Sequence, residues 1–73
     1  MSELKLQMMS CMATTDQVNK MINVIRETKD SHFQISEEQD ETVIVKLNGK
    51  VVYVGINKGN EIWVVRYAKM LFQ

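Results

Sequence analysis

The chain has no proline, one cysteine, one histidine and three glycines in 73 residues. The single thiol, Cys11, excludes an internal disulfide and any multi-cysteine zinc site. Charge of either sign is not in excess. Nine basic and nine acidic residues give a net charge of zero, which removes the basic surplus of a duplex-DNA binder or a polybasic membrane anchor. No apolar run approaches the roughly 18 residues of a membrane-spanning helix. The opening Met1-Ser2-Glu3-Leu4-Lys5-Leu6 places charges where a signal peptide needs its apolar stretch. A cytoplasmic location is the expectation that follows. Without linker-like composition or an internal repeat, one domain is expected over residues 1–73, with 1–13 a peripheral strand or a flexible start.

What is present argues for a folded core. Hydrophobic residues make up 45% of the chain, too many for a disordered tail. A domain near this size buries only about 60% of its unfolded surface and is marginal. Small folds commonly add a disulfide, a metal or a second chain. The first two lack the residues, so self-association as a homodimer or a protein partner is expected.

The strongest local pattern is helical. Val18, Met21, Ile22 and Ile25 follow the i, i+3, i+4, i+7 spacing and share one face of a helix over about 15–29. Thr14-Thr15-Asp16-Gln17 reads as a capping box in which Thr14 and Gln17 satisfy each other's amides. Beyond it the period changes to two. His32 to Ile35, Thr42 to Leu47, Lys50 to Ile56 and Glu61 to about Ala68 are rich in branched and aromatic residues and read as strands. Asn48-Gly49 is a two-residue hairpin signal, and Asn57-Lys58-Gly59 suits a three-residue turn. The start is ambiguous. Leu4, Leu6 and Met8 alternate as in a strand, while Leu4, Met8, Cys11 and Met12 fit a helix; the strand reading is preferred. The fold class is therefore α+β: one amphipathic helix on an antiparallel meander of three to four strands, with an added N-terminal strand.

Regular pairing from the first turn would set Val45 opposite Val52 and Val43 opposite Val54. The helix side would then hold Val43, Val45, Leu47, Val52, Val54, Ile56, Ile62 and Val64. The far side would hold Tyr53, Trp63 and Tyr67 with Ile44, Val51 and Val65. A one-residue change in the second turn would move Trp63 and Val65 to the helix side, with Tyr53 staying on the far side. The regular register is preferred, so those six residues form the candidate partner-binding face, since tryptophan and tyrosine are enriched in contacts.

Other functions find thinner support. Lys46, Lys50, Arg66 and Lys69 beside the aromatics would suit single-stranded nucleic acid, and residues 42–73 carry five bases and one acid. No RNP-like motif accompanies them. Glu37, Glu38, Asp40 and Glu41 form an acidic run without the spacing of a calcium loop, and read as a solvated loop. Cys11 as a nucleophile needs a base, and His32 lies at the far end of the helix, roughly 20 Å away at 1.5 Å per residue. His32 reads instead as a helix C-terminal cap. The methionines read as core filling. Neither enzyme activity nor a cofactor or metal is expected. The sequence points to a small protein-binding inhibitor or regulator, of the accessory kind that viruses and mobile elements carry. A small single-stranded nucleic-acid binder is the alternative.

Overall fold

The structure, a computed structural model, describes residues 7–39 and 41–69. Leu4 and Leu6 of the opening alternation, Asp40 of the acidic run and the last four residues lie outside that range. The elements run β1 (Met8–Thr14), α1 (Thr15–Glu27), β2 (Phe33–Glu38), β3 (Thr42–Leu47), β4 (Lys50–Gly59) and β5 (Ile62–Ala68). The five strands form one antiparallel sheet in the order β1-β5-β4-β3-β2. One helix packed on that sheet gives the α+β class read from the sequence. The N-terminal strand is present, paired from Met8 opposite Ala68 to Thr14 opposite Ile62.

The helix begins where its capping box says it should. The Gln17 amide donates to the Thr14 hydroxyl at 3.2 Å, and the Thr14 amide donates to Gln17 Oε1 at 2.9 Å. A cap of this kind is worth about 1 kcal/mol. The helix stops two residues earlier than the expected 29, because Lys29 turns to φ 54. The Thr28 hydroxyl donates to the Ile25 carbonyl at 2.7 Å and closes the last turn. Val18, Ile22 and Ile25 are buried and Met21 is partly so. Arg26 reaches Glu37 of β2 at 3.2 Å, an exposed pair worth at most about 1 kcal/mol.

The first hairpin turns at Asn48-Gly49, both at positive φ, and pairs Leu47 with Lys50. Past that point the expected register fails. A bulge at Val52 leaves Lys46 opposite Val51 but sets Val45 opposite Tyr53, Ile44 opposite Val54 and Val43 opposite Gly55. One extra residue reverses the facing of everything after it. The second turn is also displaced. Strand β4 continues to Gly59, and the reversal falls at Asn60 and Glu61, with φ of 54 and 61. Gly59, at φ 94, takes a second irregularity, and its amide donates to Asn57 Oδ1 at 2.8 Å. The Thr15 amide donates to the Glu61 carbonyl at 3.0 Å, tying that turn to the start of the helix. The observed partners are Tyr53 with Tyr67, Gly55 with Val65 and Asn57 with Trp63.

The core lies between helix and sheet. Val18, Ile22 and Ile25 pack against Val43, Val45, Val52, Tyr53, Trp63 and Val65. Each fully buried branched or aromatic side chain contributes about 1.5–3 kcal/mol by leaving water. Val43 and Val45 are on the helix side as expected, Val52 is buried at the bulge itself, and Leu47 is packed against the core. Val54, Ile56, Ile62 and Val64 are not: past the bulge, alternation sends them to the opposite face.

Candidate functional site

The six residues expected to bind a partner do not share a face. Tyr53, Trp63 and Val65 are 3%, 5% and 2% exposed beneath the helix, and Tyr67 is packed against the same core. Ile44 and Val51 lie on the other side of the sheet. The Val52 bulge is the cause, since it carries Tyr53 and its partners on β5 under the helix. The Trp63 indole N–H donates to the Thr15 hydroxyl at 3.0 Å, so this ring anchors the helix start. The basic residues divide too. By strand alternation Lys46 and Arg66 stand on the face away from the helix, Lys50 falls on the helix side, and Lys69 lies just past the end of β5. The aromatic and basic groups that a single strand would use are therefore not assembled on one surface.

What the fold leaves open is an aliphatic face. Met12, Val64 and Ile56 sit opposite one another on β1, β5 and β4 and make a continuous apolar row. Val54 and Ile44 extend it along the next row. Val51 and Ile62 lie near its ends. Met12 is 70% exposed, and Val51, Ile56 and Ile62 are about 40% exposed. Ser10, Ser36, Gln34 and Thr42 edge the patch, with Arg66 and Lys46 within it. In a chain of this size, seven aliphatic side chains across four neighbouring strands are far from the scattered surface hydrophobes of an ordinary monomer. Pattern reasoning missed this face because it needed the bulge to expose it.

Tyr53 has a measurable signature of its placement. Burial, with a smaller push from neighbouring Cys11, raises its phenol from 10.0 to about 12. The folded state then holds the proton more tightly than the unfolded chain. Stability is complete below about pH 10 and falls as pH rises from there towards about 12, by roughly 2 kcal/mol. Tyr53→Phe is expected to remove that loss. Urea unfolding of both proteins below and above this window measures it, and parallel pH curves would place Tyr53 in solvent.

The remaining candidates are plain structure. His32 Nδ1 lies 2.7 Å from the Asp30 carboxylate, which also accepts the His32 amide at 2.9 Å. These bonds hold the Asp30 carboxyl below its ordinary value. His32 thus braces the loop after the helix through Asp30, instead of capping helix carbonyls. Cys11 is free and exposed. It borders an open depression of about 260 Å³ with Ala13, Gln17, Met21, Tyr53 and Tyr67, a wall without histidine or carboxylate. Among the described residues no three histidine, cysteine or acidic groups are placed to hold a metal ion, and no helix is long and apolar enough to cross a membrane. Comparisons with protein families, curated proteins and solved structures found no match.

Proposed function

We propose that this chain is a non-catalytic protein-binding module that acts by occupying a partner's surface, as an inhibitor or regulator. The observation that carries this reading is the open aliphatic face formed by Met12, Val64, Ile56, Val54 and Ile44. Water-exposed aliphatic side chains in one continuous patch gain free energy when another apolar surface covers them. Arg66 and Lys46 within the patch favour a partner that presents carboxylates around an apolar centre. The aromatic face first expected to bind is the packed interior, so the contact is assigned to aliphatic residues instead.

The test separates folding from binding. Ile56→Lys alters a side chain that is 41% exposed and is expected to change stability by less than about 0.5 kcal/mol. A photo-crosslinker at position 64, in cells of the native source, should link to one defined protein, and Ile56→Lys should abolish the product. A crosslinker at Asn23, on the exposed helix surface, should give none. Equal labelling from both positions, or a product indifferent to Ile56→Lys, would remove the reading.

A further inference from the structure

The two edges of the sheet are built differently. Strand β2 carries Glu37 and Glu38, and Asp30 precedes it. Strand β1, Met8-Met9-Ser10-Cys11-Met12-Ala13-Thr14, has no charge, no proline and no bulge. Those are the devices by which proteins prevent edge pairing, and β1 has none of them.

Backbone parity shows which groups the β1 edge offers. The Lys69 amide donates to the Gln7 carbonyl at 2.9 Å and the Thr15 amide donates to the Glu61 carbonyl, which makes the odd-numbered residues of β1 the ones bonded to β5. Met8, Ser10, Met12 and Thr14 therefore direct their amides and carbonyls outward. Thr14 is already used, because its amide donates to Gln17. Among the described residues the free stretch runs from Met8 to Met12 and is centred on Ser10.

We propose that a second copy of this chain pairs antiparallel along β1, with the twofold axis at Ser10, so that two five-stranded sheets become one. In that register Ser10 faces Ser10 of the other copy and Met8 faces Met12, and each exchanges both backbone bonds with its opposite. On the helix side Met9 faces Cys11. Every outward group finds a complement in the same three residues, and no like charges meet on the strand. Pairing also covers Met9 and Met12, which are 43% and 70% exposed. The argument rests on the edge; of the open face it covers Met12 alone and leaves Val64, Ile56, Val54 and Ile44 uncovered, so it stands apart from the preceding function.

A seven-residue edge covers less than the roughly 800 Å² per partner of a standard interface. The dimer should therefore exchange with monomer, and mass must be followed against concentration. Light scattering of the purified full chain is expected to rise from the monomer mass towards twice it as concentration reaches the millimolar range. Over the same range the amides of Ser10 and Met12 should become protected from hydrogen exchange. Ser10→Pro removes an outward amide without breaking the β5 ladder and should hold the mass at monomer. Ser10→Lys, a change on an exposed side chain, sets like charges across the axis and should do the same with an unaltered circular dichroism spectrum. A monomer at every concentration would overturn the proposal. So would a dimer that survives Ser10→Lys, or protection that grows at Ile56 and Val64 instead, as face-to-face stacking would give. Protection of Ser10 that appears only when another protein's strand is added, the chain alone staying monomeric, would also overturn it.

Discussion

Trp63→Ala is expected to unfold the domain. The indole is 5% exposed, packs in the core and donates to Thr15 at the helix start. Truncating a buried tryptophan costs about 3–5 kcal/mol, from the lost burial of the ring together with the cavity that the neighbours cannot fill. A chain of this size has roughly 4–11 kcal/mol in total, at 0.05–0.15 kcal/mol per residue. The variant should melt about 15–30 °C lower than wild type, or show no cooperative transition. Thermal melts followed by circular dichroism decide it, with Ile56→Lys as the exposed comparison. A melting temperature close to wild type would mean that the ring does not carry the helix–sheet contact. The same result shows why Trp63→Ala is unsuited to probing a binding surface, since lost binding would only report lost folding.

Gly55→Val is expected to be the second most damaging change, at about 3 kcal/mol. Gly55 is not at positive φ, so its role is spatial. A Cβ there would lie 3.3 Å from Trp63 Cε3 and 3.6 Å from Tyr53 Cε1. Both neighbours are rigid rings held in the core, and neither has a flexible end that can swing away. Overpacking of this kind costs about 1–3 kcal/mol and reaches the upper end where the neighbours are stiff. The cause can be isolated by a double-mutant cycle. Trp63→Phe should recover part of the loss by vacating the six-membered ring position of the indole, giving a favourable coupling of about 1 kcal/mol in denaturant titrations. Strict additivity would show that Gly55 is needed for some reason other than seating the ring.

The parts of the fold that could be read from the sequence are those written in local chemistry. Thr14 and Gln17 mark the helix start, Val18, Ile22 and Ile25 mark its buried face, and Asn48-Gly49 marks the first hairpin. Val43 and Val45 follow from that turn and are correctly placed. The reading fails at Val51-Val52-Tyr53-Val54, where four apolar residues in a row give alternation nothing to count. A bulge there has no residue signature, and one uncounted residue transfers the aromatics from the outside to the core. The second turn misled for a different reason. Gly59 looks like the turn glycine but sits in the strand's irregularity, and the reversal falls on Asn60 and Glu61. A glutamate is a rare occupant of positive φ. The open aliphatic face is the complement of those two errors, so it became visible only with the true register. The opening strand is read from the sequence and is present, but its place at the sheet edge beside β5 needed the strand order.

The position of β1 beside β5 also dictates an order of assembly. β2 through β5 form a chain of neighbouring hairpins, each closing a short loop. The β1–β5 pair joins nearly the two ends of the described chain, so its loop-closure entropy is the largest in the molecule. The helix follows β1 directly and fixes Trp63 and the Glu61 turn, both of which belong to the last strand. During synthesis β1 and α1 leave the ribosome before β5 and must therefore wait for it before their apolar sides are covered. The rate-limiting event in folding should be the docking of β1 and α1 onto a preformed meander, a long-range step that is slow relative to the local hairpins.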